Sequence, residues 1–463
     1  MKKSLPILVI VSFLASGLAA QVEPGAGSWK TWFISSGKSY RLGAPPSYKE
    51  EITDVLLRQQ NLDSAGWQQI MYWNAGAPGY HWQEMMTKLW QTDTSLRGAL
   101  ANLLMNVSIY DATIAAWDTK YSFKRRRPFM VDKRINSFVI SAESPSYPCE
   151  YSVAAGAAVF IISHFYPAMA DSAKRMADQL MASRVAAGMA FPSDTRAGFE
   201  LGKRIAEKEI GAKNALLPAT AWDGRRPEGR GFWNGKQPMY PLGGHLKTVT
   251  LDSSSQFRPA PPPDFAKDMA ELKNFKQNFR SMANALYWAS QDFWGELLNK
   301  KIFENNIHLN APRAARLYAV TAIGTFDLFA ACWDAKYAYW GLRPDQYDTS
   351  YHALIPTPPF PGYPSGHAAM SGMMATLYAY FFPADRAYFQ KKAKDAAESR
   401  FQAGIHFRTD NEVGLELGRQ VAGVVIEKAK HDGSDNSMPF LAAKKNEVQA
   451  VSQKANHTPS NKY

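Results

Sequence analysis

The chain has 463 residues, 46% of them hydrophobic and 20% charged; this is a globular composition and excludes a disordered or low-complexity whole. Its length allows several units, or one large domain made by duplication. The formal charge of +12 is spread along the chain without a nucleic-acid motif, so it reads as a solvated basic surface with no nucleic-acid partner.

Lys2 and Lys3 precede an apolar run from Leu5 to Leu18, and the small residues Ala19 and Ala20 stand before Gln21. This pattern is a Sec-type signal peptide over residues 1–20, and it predicts a periplasmic or secreted protein. The apolar run is short for a signal anchor, and no later stretch is expected to span a membrane. Cys149 and Cys332 are the only cysteines; export permits one disulfide, and the sequence leaves their pairing open.

The rest of the chain is written twice. WDTKYSFKRRRP, from Trp117 to Pro128, matches WDAKYAYWGLRP, from Trp333 to Pro344, at an offset of 216 residues. At the same offset Tyr147-Pro148 meets Tyr363-Pro364, Ser183-Arg184 meets Ser399-Arg400, and Asp194 meets Asp410. A fixed offset through charged positions points to duplication. Helix formers dominate and strand-period alternation is scarce. The expected fold is all-α, a duplicated helical bundle with pseudo-twofold repeats packed as a single compact domain. The repeats span 47–213 and 264–431, with a Pro/Gly/Trp-rich irregular surface connector over 214–263 and a polar tail over 432–463. In the second repeat, helices are expected over Ala266–Trp294, Ala311–Lys336, His367–Phe382 and Asn411–Lys430.

Chemistry-bearing residues gather in the second repeat. Lys336 and Arg343 are seven apart, which on a continuous helix puts both on one face. Aromatics surround them, as in a pocket lining. A Pro/Gly-rich approach ends at Ser365, Gly366 and His367, and an Ala/Met-rich helix begins there. Free amides and the helix dipole at such a start favour an anion, and His367 can exchange a proton near neutral pH. Arg400 and His406 are six apart, on different faces of a continuous helix, but Gly404 can end the helix between them and turn both inward. Asp410, four beyond His406, is placed to orient the imidazole. Three cations, a helix N-terminus and two histidines suit a trigonal-bipyramidal phosphoryl group, or vanadate of the same geometry. In the first repeat the counterparts of Ser365, Gly366, His367 and His406 are Cys149, Glu150, Tyr151 and Ala190. That copy reads as structural, its remaining cations paired to carboxylates.

At these residues the chain resembles the vanadium-dependent haloperoxidases, which share a superfamily with the type 2 phosphatidic acid phosphatases. Lys336-x6-Arg343-Pro344, Pro364-Ser365-Gly366-His367 and Ser399-Arg400-x5-His406-x3-Asp410 stand in the family's order. The resemblance implies that Lys336, Arg343, Ser365, Gly366 and Arg400 hold vanadate oxygens, that His406 is the metal ligand, and that His367 assists peroxide activation. It implies hydrogen peroxide and halide as substrates, a small organic acceptor beside them, and a halide pocket at Trp333 and Phe360; it does not identify the halide. The alternative is an exported acid phosphatase with a phosphohistidine at His406.

Overall fold

The computed structural model describes residues 22–434 apart from 141–142 and 291. The predicted signal peptide and nearly all of the polar tail lie outside the described residues. Among the described residues the regular elements are all helices.

Two long helices form the centre, α1 (Leu96–Phe123) and α5 (Ala311–Tyr339). The Asn310 side chain caps the start of α5 by accepting from the Arg313 amide at 3.3 Å, and Pro312 sits in the first turn, where its missing N–H costs nothing. They pack on each other, and one buried cluster joins Leu100, Leu104 and Val107 of α1 to Ala315, Ala319 and Ile323 of α5. Around α1 stand α2 (Glu150–Phe165), α3 (Ala170–Ala186) and α4 (Pro192–Lys213). Around α5 stand α6 (Gly366–Phe381), α7 (Arg386–Gln402) and α8 (Arg408–Ala429).

The last three helices of each set are displaced by 216 residues, the offset read from the sequence. Irregular features obey it too. Lys124 and Trp340, which end α1 and α5, are left-handed at φ 50° and 49°, and Gly188 and Gly404 are at 74° and 75°. The fold is therefore the expected all-α duplicated bundle of pseudo-twofold repeats.

Three differences from expectation have physical causes. Residues Ala266–Trp294 are not one helix: Ala266–Asn274, Phe279–Ser290 and Phe293–Glu304 follow one another. Phe275 turns extended, and the Asn278 carboxamide accepts from the amides of Arg280 and Ser281, restarting the helix; amphipathic spacing alone cannot show such a break. The connector is not wholly surface. The buried Asp327 carboxylate, in mid-α5, accepts from the amides of Val249 and Thr250, both at 2.7 Å. Asp111 of α1 accepts likewise from Trp32, Phe33 and Ile34, so each long helix grips the loop laid across it. Third, the stretches Leu96–Val131 and Ala311–Tyr347 are long and apolar enough to cross a membrane; in each, 94% of the apolar window is buried within the protein. Cys149 and Cys332 are both buried and unpaired.

Backbone contact fixes how the site helices cross. An added Cβ at Gly418 of α8 would lie 2.0 Å from the Ala369 carbonyl, and one at Gly414 would lie 2.6 Å from that of Ser365. Only glycine admits this approach. It sets the start of α6 against the start of α8, where the Ser365 amide donates to the Asp410 carbonyl at 2.9 Å.

Candidate oxyanion-binding active site

Lys336 lies in the last turn of α5, fully buried. Arg343 does not share its helical face, because α5 ends at Tyr339, with Trp340 left-handed at φ 49°. The chain instead reverses, and Arg343 caps the next short helix, Pro344–Tyr347. The two cations meet through this turn, a route the seven-residue spacing does not reveal. Lys336 Nζ donates to the carbonyls of Pro361, Gly362 and Pro364 at 2.7, 3.0 and 2.6 Å. That Pro/Gly segment thus folds over the ammonium and leads into α6.

Arg343 is the hub. Its Nε donates to the Phe360 carbonyl at 3.1 Å, and Nη1 to the Ile405 carbonyl at 2.7 Å and His406 Nε2 at 2.9 Å. Its Nη2 is buried without a partner. A buried guanidinium donor with nothing to bind is costly, and it is the feature an oxyanion would satisfy. Arg400, at the end of α7, uses Nε on Ser399 Oγ and Nη2 on the Ala285 carbonyl, each at 2.9 Å.

His406 follows the turn at Gly404, as expected. Its Nδ1 lies 3.0 Å from Asp410 Oδ2, and the same carboxylate oxygen accepts from the Phe407 amide at 3.1 Å, closing the first turn of α8. The pair reads as Nδ1–H donating to Asp410, with the Nε2 lone pair accepting from Arg343 Nη1. Burial, and the charges of Arg343 and Lys336, press the His406 pKa well below the usual imidazole value, so the ring is neutral at neutral pH. Burial raises Asp410 to about 7 against the pull of Lys336 and Arg343, and burial with Arg343 nearby lowers Lys336 to about 7.

Ser365 is the buried cap of α6, its Oγ accepting from the Ala368 amide at 3.4 Å. At Gly366 the atoms nearest an added Cβ would be Trp333 ring carbons and Lys336 Cε, at 3.8–3.9 Å. The α6 start therefore faces the lysine directly. His367 is open to solvent on one side, yet the surrounding protein and the charges of Arg400, Arg343 and Lys336 still hold its pKa below the usual value. The structure thus links Arg343, His406 and Asp410 by hydrogen bonds and sets the start of α6 against Lys336, with Arg400 near enough for its charge to act on both histidines.

Trp333 and Phe360 also meet, with ring centroids 5.4 Å apart, and Lys336 Nζ lies 5.1 Å from the Phe360 ring. Sequence reasoning missed the rest of this wall. Phe329, one turn before Trp333, stacks on it at 4.1 Å, and Tyr240 of the connector meets its edge at 5.8 Å. The four-residue spacing could have found Phe329, but nothing near Tyr240 could have. Asp268 was missed too: its carboxylate accepts from the amide and hydroxyl of Thr409, each at 3.0 Å, and steadies the residue before Asp410.

The family model of the VCPO second helical-bundle domain matches residues 387–433, a stretch holding Arg400, His406 and Asp410. No curated protein sequence matches the chain. Among solved structures, one described as the first bacterial vanadium-dependent iodoperoxidase aligns over 83% of this chain and 98% of its own, with 20% identity and TM-score 0.52. A bacterial vanadium-dependent chloroperoxidase in the holo form aligns over 72% and 91%, with 14% identity and TM-score 0.55; its apo form aligns over 72% and 93%, with 14% identity and TM-score 0.54. The second half therefore contains a segment similar to the VCPO second helical-bundle domain, within a chain that has the fold of the bacterial vanadium-dependent haloperoxidases.

Proposed function

We propose that the protein is an exported vanadate-dependent haloperoxidase that uses hydrogen peroxide to oxidise a halide to hypohalous acid. The observation that carries this reading is the unpartnered Arg343 Nη2, on the guanidinium whose Nη1 donates to Nε2 of a neutral His406. A bound oxyanion would satisfy the first, and the metal at its centre would take the Nε2 lone pair in place of the Arg343 Nη1 hydrogen bond. Lys336, Arg343, Arg400, Ser365 Oγ and the Gly366 N–H would hold its oxygens, and His406 Nε2 its metal. Bound there, vanadate supplies the Lewis acidity that activates peroxide.

The chain's own residues do the rest. Asp410 fixes the His406 tautomer and ring direction. Lys336 and Arg343, both buried, stabilise negative charge. His367, neutral and reached from outside, takes a proton from incoming peroxide and returns it to the leaving oxygen. The balance is one peroxide, one halide and one proton in, and one hypohalous acid and one water out. Trp333 and Phe360, with Phe329 and Tyr240 behind Trp333, give the halide a weakly hydrated wall next to Lys336. A small organic acceptor would then take up the hypohalous acid. The residue 1–20 pattern supports export, and N-terminal sequencing of the mature protein would expose an uncut leader.

Purified protein should retain vanadium after orthovanadate is removed and should then oxidise iodide, bromide or chloride with peroxide. Turnover of a phosphomonoester with no oxidation of any halide overturns this in favour of the phosphohistidine reading.

A further inference from the structure

The first repeat keeps the whole cationic frame of the second. Lys120, Arg127 and Arg184 are buried where Lys336, Arg343 and Arg400 are buried in the other copy. Glu150, at the first position of α2, takes the place of Gly366. Its Oε2 lies 2.9 Å from Lys120 Nζ and its Oε1 3.1 Å from Arg127 Nη2. Arg127 also repeats its counterpart's grip on backbone, with Nε on the Ser144 carbonyl and Nη1 on that of Met189, each at 2.9 Å, and Lys120 donates to the Pro145 carbonyl. Arg184 lies 4.1 Å from the Tyr151 ring, with its Nε buried and unpartnered. Beside Glu150, Tyr151 and Arg184 remains a cavity of about 70 Å³, bordered by Asn74 and His308.

We propose that the first repeat is an oxyanion site of the same kind, occupied permanently by the chain's own Glu150 carboxylate. The argument is positional. A side chain growing from the first residue of this helix points at the lysine, as the open path from Gly366 to Lys336 Cε shows in the other copy. A glutamate has the reach to place its two oxygens where two oxyanion oxygens would sit, and the two cations hold it there. Three buried cations face this one carboxylate, so the site as built is under-neutralised and suits a multiply charged tetrahedral anion better than a single carboxylate. Removing the tether should therefore open a second site for inorganic phosphate or orthovanadate. This inference does not depend on the reaction assigned to the second repeat, because phosphate binding alone reads it.

Glu150→Gly and Glu150→Ser, purified in phosphate, test it by equilibrium dialysis and thermal melting. Each should bind one phosphate per chain more than the parent, with a larger phosphate-dependent rise in Tm. The reciprocal variant, Gly366→Glu, should lose the parent's phosphate binding and melt higher without phosphate, an increase that simple blockage by bulk would not produce. Folded Glu150 variants that bind no extra phosphate overturn the proposal. Should neither fold, the reciprocal variant decides alone: a higher Tm with lost phosphate binding supports it, and any other result overturns it.

Discussion

The two repeats share a backbone plan and differ in how they neutralise buried charge. In the first, the Glu150 carboxylate closes the circuit with Lys120 and Arg127. Burial alone would raise its pKa, but Arg127, Lys120 and Arg184 hold it well below the usual carboxylate range. In the second, Lys336 donates to three carbonyls, Arg343 leaves Nη2 unpaired, and the Asp410 carboxylate is engaged with His406. A scaffold that carries its own tethered carboxylate takes up no free anion, whereas one without that carboxylate is pre-organised to take one. Duplication let one copy act as a permanent support while the other kept the deficit on which chemistry depends.

The sharpest break in this comparison is at the metal-binding nitrogen. His406→Ala should abolish vanadium retention and peroxide-dependent halide oxidation together, whereas Ala190→His should create neither; dialysis followed by metal analysis reads both. Next is charge balance in the first copy. Lys120→Met leaves Glu150 short of a partner inside the protein and should cost about 3 kcal/mol of stability, seen by denaturant unfolding, with vanadium retention unchanged. An unchanged midpoint would mean that Glu150 does not depend on the lysine. A smaller effect is expected at Asp410. Asp410→Asn keeps a hydrogen bond to His406 but removes its charge, and vanadate affinity should fall roughly 10- to 100-fold, the usual consequence of losing a ligand-orienting carboxylate.

The repeat, the all-α class and the charged cluster around Arg343 and His406 were legible in the sequence because charged residues recur at one offset and because Gly404 and Ser365 mark turns and caps that have local causes. The path by which Lys336 and Arg343 meet was not legible. Two helical turns and a helix end followed by a reversal give the same spacing, and only the left-handed Trp340 separates them. Tyr240 and Asp268 were hidden for another reason. Both lie far from the motifs in sequence and arrive by tertiary packing, which no local pattern records. The breaks inside Ala266–Trp294 escaped because they rest on side-chain caps that override apolar spacing.

The least of the expected effects separates the copies by acid. His367 and His406 are both held below their unfolded pKa, near 6.5. A group depressed in this way adds no penalty above the unfolded pKa, where it is neutral in both states. As pH falls below about 6.5 the unfolded chain takes up protons that the folded chain resists, so stability is lost. The first repeat carries Tyr151 and Ala190 at these places and has no such liability. Tm should therefore fall between pH 7 and pH 5, His367→Gln should flatten part of that slope, and bound orthovanadate should flatten it further by offsetting the three cations that resist the proton. A slope unchanged by both would place the acid-sensitive groups elsewhere and remove this distinction between the copies.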